Sequence, residues 1–282
     1  MSVCIPAYNA EPYIAACIAS VLSQSTDDWE LIVRDDCSTD DTFAVAVEAV
    51  GDRGVVTRNE HNLGPVGNWN AVVHGAAGRA VKLLCDDDVL APRCIARQLA
   101  VLDAHASVGF VGARRNIVDA VGRVVLADYG LAGMRGLVPR AVAVAKMVRA
   151  ANTPWGEPSV VMFRAAALAQ AGSFRADYGT LVDVDMYARV LADWDAYALD
   201  ETLASFRMSA SSWSNRSHRV QAADARRLLR DIASVPAHGI TRSTLALGLA
   251  RASALGRARQ AVFALAETRA RWRAPEHEAA PA

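Results

Sequence analysis

The stretch Val81-Lys82-Leu83-Leu84-Cys85-Asp86-Asp87-Asp88 decides the fold, because it sets a short apolar run directly before three consecutive carboxylates. An apolar run stopped by charge reads as a buried strand leaving a sheet. Three adjacent carboxylates repel one another, and a folded chain accommodates them best where a cation or a hydroxyl-rich ligand sits among them. A second acidic pair, Asp35-Asp36, follows the run Leu31-Ile32-Val33. In open α/β sheets, ligands bind in the crevice beyond the carboxyl ends of the strands. Two acidic strand ends therefore indicate one polar, metal-dependent site. The alternative is that both are solvated turns before the next helix.

Working outward from these runs, the first ninety residues alternate strand and helix signals. Val3-Cys4-Ile5 is a short strand. A helix is expected from Glu11 to Leu22, with Pro12 in its first turn and Ile14, Ile18, Val21 and Leu22 on one face. Trp29 to Val33 is the next strand, and Ser38-Thr39-Asp40-Asp41 signals a helix over Phe43 to Val50. Val55-Val56-Thr57 is a third strand. Asn62 to Gly67 reads as a Gly/Pro loop before a helix from Asn68 to Ala77. This order predicts a mostly parallel sheet covered by helices. Beyond it, Cys94 to His105 and Val182 to Ala192 read as helices, and Val108 to Gly112 and Val160 to Phe163 as strands. Ile117 to Leu126 reads as a hairpin, and the chain after Arg219 as helical with breaks at Pro236 and Gly239.

With 282 residues, 52% of them hydrophobic, the chain can bury a substantial core and is globular. It has no apolar run of eighteen residues, and its N-terminus lacks the basic start of a signal peptide. Five cysteines form neither Cys-x-x-Cys nor a zinc spacing, which fits reduced thiols and a cytoplasmic location. Formal charge is zero but unevenly spread. Residues 216–273 carry twelve arginines against Asp224, Asp231 and Glu267, a net +9, whereas residues 1–215 carry a net −7.

At this point the residues resemble a known family. Val3-Cys4-Ile5-Pro6-Ala7-Tyr8-Asn9 is similar to the opening strand and Pro-x-Tyr-Asn turn of family 2 glycosyltransferases. Ile32 to Asp40 resembles their second nucleotide-binding strand. Asn62-Leu63-Gly64, Asn70 and Ala77-Gly78 fit the segment that follows, and Asp86-Asp87-Asp88 stands at the family's Asp-x-Asp. Val182-Asp183-Val184-Asp185-Met186-Tyr187-Ala188-Arg189-Val190 resembles the later Glu-Asp-x-Asp…Arg helix, with Val182 where an acid is common. The motifs occur in the family's order from residue 3 to about 215.

The resemblance implies a GT-A-type, Rossmann-like sheet flanked by helices, with a helical C-terminal extension. It divides residues 1–215 into a nucleotide-sugar half (1–95) and an acceptor half (96–215); composition adds an Arg/Ala-rich helical extension (216–273) and a small, polar, disordered tail (274–282). The resemblance further implies an inverting, metal-dependent transfer from a nucleoside-diphosphate sugar, UDP first, to a hydroxyl of a glycan or lipid-linked acceptor in bacterial surface polysaccharide synthesis.

The chemistry asks for such residues. A cation held by carboxylates neutralises the diphosphate leaving group as the glycosidic bond breaks. Asp88, and with it Asp86, would hold Mn²⁺ or Mg²⁺; Asp86 instead faces the ribose hydroxyls in a second reading. Asp36 would accept from a base N–H, while Pro6, Ala7, Tyr8, Asn9, Asn70 and Asp87 line the donor slot. Asp183 would be the base that takes the acceptor proton, with Asp185 next in line, unless Asp183 only caps its helix and Asp185 only pairs with Arg189. Trp155 and Glu157, in the loop Trp155-Gly156-Glu157-Pro158, would face the acceptor, with Trp155 either stacking on a sugar or filling the loop core. Ser209 stands where the family's Tyr-Arg-x-His has histidine.

Three rival functions remain in view or fall away. A polyprenyl-phosphate sugar synthase has an ionised acceptor and needs no base. A non-catalytic sugar- or partner-binding module keeps the fold without turnover. Nucleic acid is disfavoured, because the arginines of 216–273 lack interleaved aromatics; peripheral contact with the inner membrane face is expected of them instead.

Overall fold

A computed structural model describes residues 1–208 and 221–255. Within them the strands form one ten-stranded sheet in the order β3-β2-β1-β4-β9-β6-β10-β5, with β7 beside β6 and β8 beside β10. β1 (Ser2–Ala7), β2 (Glu30–Asp35), β3 (Val55–Arg58) and β4 (Ala80–Leu83) pair in parallel and are joined by α1 (Ile14–Leu22), α2 (Thr42–Val50) and α3 (Gly64–His74). β5 is Val89–Leu90, and α4 (Cys94–Ala104) leads to β6 (Val108–Val118), which turns back into β7 (Val124–Tyr129). β8 (Gly136–Val138), α5 (Arg140–Ala150), β9 (Met162–Arg164), α6 (Ala165–Ala171), α7 (Val182–Val190), β10 (Asp195–Arg207) and α8 (Gln221–Ser234) complete the order, and 242–255 is helical.

The sheet is parallel where strand and helix alternate and becomes mixed afterwards. β9 enters between β4 and β6, antiparallel to both, while β10 runs parallel to β6. Every residue of β1 is buried, because helices cover both faces. Val3 and Ile5 point into a core with α1, α2 and α4, and Cys4 between them points into a second core with α3, α5 and α7. This is the period of two that a strand imposes.

Several expectations need correction. α3 starts at Gly64, not Asn68, because Pro65 in its first turn costs no hydrogen bond there. α1 starts at Ile14, since Glu11 to Tyr13 form a turn held by Tyr13 N–H on Ala10 O, 2.9 Å. Pro158–Val160 is a 3₁₀ turn, and the strand begins only at Met162. β8, α5 and most of β10 went unread. The expected helix after Arg219 is present as α8, but it is packed in: Leu228, Leu229 and Ile232 are buried in the core beneath α7. The expected tail 274–282, residues 256–273 and Ser209 lie outside the described residues.

Candidate active site

The ends of β1, β2 and β4 meet at one edge of the sheet. Asp86 Oδ2 accepts from Tyr8 N–H at 2.9 Å, tying the first strand's turn to the acidic triplet and leaving the Tyr8 side chain exposed. Ala7 and Pro6 are buried, so they form the wall of this edge; Ala7 O accepts from Asp36 N–H at 2.8 Å. Asn9 adopts a left-handed backbone (φ 49°), and its Oδ1 accepts from Thr39 N–H at 2.9 Å, so it braces the turn after β2. Asp36 is buried; its Oδ1 takes Asn59 Nδ2 at 2.7 Å and Leu63 N–H at 2.8 Å.

The triplet is poorly compensated. Asp88 is fully buried, its Oδ1 accepts from Arg207 N–H at 2.9 Å, and its Oδ2 makes no well-formed hydrogen bond among the described residues, the nearby Ser159 hydroxyl being a polar group that lowers its carboxyl. Burial and then the charge of Asp87 push the Asp88 carboxyl well above the usual range. The same two causes push Asp86 up to about 8, and burial raises Asp87. Arg207 is the nearby cation: it donates from Nε to Asp87 O at 2.9 Å and from Nη1 to Asp119 O and Ala120 O at 3.2 Å, over the ring of Tyr13. A triplet of raised carboxylates with one poorly satisfied oxygen is a site short of positive charge.

Asp183 comes to the same place from the far end of the chain. It lies in the first turn of α7, whose N-cap is Leu181, and its Oδ1 accepts from Val184 N–H at 2.8 Å. Burial, followed by the charge of Glu157, pushes its carboxyl up to about 7. Glu157 also raises Asp88, so one carboxylate bears on both acids. Glu157 itself is ion-paired to buried Arg115, with Arg115 Nη2 on its Oε1 at 2.8 Å. Next to it, Ser159 Oγ accepts from Cys85 N–H at 2.9 Å and locks the loop to the end of β4.

Three candidate residues are engaged with the rest of the fold. Asn70 gives both halves of its amide to one backbone unit, donating to Phe174 O at 3.0 Å and accepting from Phe174 N–H at 2.8 Å, so its orientation is fixed by the loop before α7. Trp155 is 0% exposed and meets Phe110 edge-on, with ring centroids 5.1 Å apart; it presents no face to a sugar. Asp185 is buried and bound by Arg189 at 2.9 Å one turn on, an ordinary helix pair that also anchors the loop carbonyls of Ala171 and Ser173. Sequence reasoning missed Arg207, Arg115 and Ser159. Arg207 and Ser159 sat inside or beside quoted motifs, whereas nothing local marks Arg115.

Among the described residues no group of three His, Cys, Asp or Glu is arranged to chelate one ion. No helix among them is long and apolar enough to cross a membrane.

The model of the glycosyl transferase family 2 matches residues 2–140. Over 225 residues the chain is 30% identical to EpsE of Bacillus subtilis, whose name places it among the glycosyltransferases; the match covers 77% of this chain and 76% of EpsE. It is 35% identical over 102 residues to Escherichia coli WfgD, a UDP-Glc:alpha-D-GlcNAc-diphosphoundecaprenol beta-1,3-glucosyltransferase, covering 36% of this chain and 40% of WfgD. The chain therefore spans about two fifths of that relative, and 61% of a Mycobacterium tuberculosis relative. Residues 1–349 of Staphylococcus aureus TarS, crystallised with UDP-GlcNAc, share the fold with a TM-score of 0.69 at 20% identity, over 89% of this chain and 71% of that one.

Proposed function

The chain belongs to glycosyl transferase family 2 and is a glycosyltransferase, and from that premise we propose that it moves a sugar from a nucleoside diphosphate, UDP first, to a hydroxyl of a glycan or lipid-linked acceptor, with inversion. The observation that carries this reading is that one carboxylate, Glu157, bears on both Asp88 of the acidic triplet and Asp183. It brings a charge-deficient cradle and a carboxyl poised near neutrality to one end of the sheet. The UDP-GlcNAc complex of TarS and the UDP-glucose named for WfgD support the choice of donor. The diphosphoundecaprenol acceptor of WfgD supports a role in bacterial surface polysaccharide synthesis.

In this reading residues 1–95 hold the donor and 96–215 the acceptor. The uracil N–H bonds to the Oδ2 of Asp36 that its protein partners leave over, and the ring lies against Tyr8. Asp88 and Asp86 hold Mn²⁺ or Mg²⁺. The poorly satisfied oxygen of Asp88 and the raised carboxyls fit such an ion, and two carboxylates suffice where donor phosphates and water complete the shell. A cation held there would supply the positive charge that offsets the leaving diphosphate. Arg207 fixes Asp88 and the backbone of Asp87 in place. Asp183 takes the proton of the attacking hydroxyl. A carboxyl held near 7 suits that task better than one at its usual acidity, because proton transfer is most efficient near the working pH. It also favours a hydroxyl acceptor over a phosphate one, which needs no base.

Protonation of the base stops transfer. Since the Asp183 carboxyl is raised to about 7, kcat/KM for the acceptor should be flat above that pH and fall about tenfold per unit below it. A profile flat down to pH 5 removes Asp183 as base.

The described part of the basic segment holds Arg226, half-buried, and the exposed Arg227, Arg230, Arg242 and Arg251. Lysines and arginines beside anionic lipid gain about 1 kcal/mol each and lose it with salt. The segment would keep the enzyme on the inner membrane face, beside its lipid-linked acceptor. Co-sedimentation with phosphatidylglycerol vesicles should be strong at low salt, fade as salt rises and disappear on phosphatidylcholine. Equal sedimentation in all three conditions counts against attachment.

A further inference from the structure

We infer that Arg115 is a positioning residue of the transfer: its buried guanidinium holds Glu157 beside Asp183, so that the two carboxylates receive the acceptor together. This rests on the reading of Asp183 as base and adds to it the residue that prepares the acceptor side. Arg115 is 4% exposed; its Nη2 donates to Glu157 Oε1 at 2.8 Å, while its Nε stands in ion-pair contact with Oε2 without a well-formed hydrogen bond, a two-point arrangement that lysine cannot reproduce. Three elements build its cradle. The Tyr129 ring at the end of β7, paired in register with Arg115, lies 4.9 Å from the guanidinium carbon. Gly130 and Gly156 flank Nη1 with left-handed φ of 128° and 96°; a Cβ there would stand 2.8 Å and 3.2 Å from that nitrogen. The loop carrying Gly156 and Glu157 is pinned by Tyr187, whose hydroxyl donates to Gly156 O at 3.1 Å.

A buried ion pair adds little stability over apolar residues of the same shape, so its value lies in where it stands. It stands beside Asp183, and its two members act on that carboxyl in opposite directions: Glu157 raises it and Arg115 lowers it. The other groups on α7 are spoken for. Tyr187, one turn on, holds Gly156 O, and Asp185 and Arg189 bind each other. The charge balance at the base is thus set by one pair whose geometry is fixed by a dedicated pocket. Glu157 keeps part of its side chain accessible, 27%, which leaves it able to accept from a second hydroxyl of the acceptor sugar.

The test is kcat/KM for the acceptor as a function of pH in Arg115→Met, Arg115→Lys, Glu157→Gln and the double variant Arg115→Met/Glu157→Gln, with donor affinity measured beside it. Arg115→Met should cost at least tenfold and move the acid limb up, because it removes the positive charge that lowers the Asp183 carboxyl. Glu157→Gln, nearly isosteric and therefore able to fold, should move the limb down. The double variant should return it close to the wild-type position. Arg115→Lys should leave the limb in place and raise the acceptor KM, with donor affinity within twofold throughout. A limb that stays put in both Arg115→Met and Glu157→Gln overturns the proposal, as does loss of donor affinity with an unchanged acceptor KM. Asp183→Asn run alongside tells the failures apart. If it is active, the base reading falls and this one with it; if it is inactive while the limb is stationary, only the role of Arg115 falls.

Discussion

Asp183→Asn should lower turnover by roughly 10²–10⁴ with donor affinity unchanged, the loss expected when a general base is removed without altering its shape. The amide keeps the volume of the carboxyl and can still accept from Val184 N–H at the start of α7. It cannot take a proton. Because burial and Glu157 already hold the Asp183 carboxyl up to about 7, its ionised form is costly in the folded protein, and the neutral amide relieves that cost. The variant should therefore melt no lower than the parent at pH 8. Full turnover in Asp183→Asn would move the proton transfer elsewhere.

Asp88→Asn should abolish metal-stimulated donor binding, weakening it by more than about 100-fold, since even outer partners of metal ligands commonly cost 10–100-fold. The sign of its effect on stability is the reverse. Asp88 is fully buried, with one oxygen poorly satisfied and its carboxyl raised well above the usual range by burial. A carboxyl whose pKa is higher in the folded chain than in the unfolded one destabilises the fold once pH exceeds the unfolded value, and increasingly up to the folded one. At neutral pH the native residue is thus a burden, and the Asn variant should show an equal or higher Tm while being inert. Calorimetric titration with UDP, with and without Mn²⁺, together with thermal melting, reads both effects. A lower Tm with retained metal-dependent binding would mean that Asp88 is a structural acid.

The parallel half of the fold was legible because its strands are largely buried and read as short apolar runs: Val3 to Ile5, Leu31 to Val33, and Val81 to Leu84 broken only by the buried Lys82. The acidic ends of those runs gave one side of the site. The other side was harder for identifiable reasons. β10 hides because Asp200 and Glu201 interrupt its alternation, at a register shift between Leu199 and Thr202 that turns them out to Arg114 and Arg97. α5 hides because Ala141-Val142-Ala143-Val144-Ala145 has the period of a strand, while the buried set Ala143, Val144, Met147 and Val148 follows the helical one. Trp155, Asn70 and Asp185 were hard to place from sequence for a common reason. Each is a polar or aromatic residue in a site motif whose partners, Phe110, Phe174 and Arg189, decide its role, and the first two of these lie far along the chain. Arg115 shows the same limit from the other side: its partner Glu157 is 42 residues away, and no local pattern announces the pair.

The central claim is that a nucleoside-diphosphate sugar sits on the Asp86–Asp88 end of the sheet with a divalent cation. The most direct measurement is release of nucleoside diphosphate from a panel of UDP-, GDP- and dTDP-sugars by the purified full chain, with Mn²⁺, with Mg²⁺ and with chelator. The account predicts slow hydrolysis of one donor class, UDP-sugars first, that stops in chelator and in Asp88→Asn. Release from no donor under any condition, or release that is indifferent to chelator and to Asp88→Asn, would contradict it.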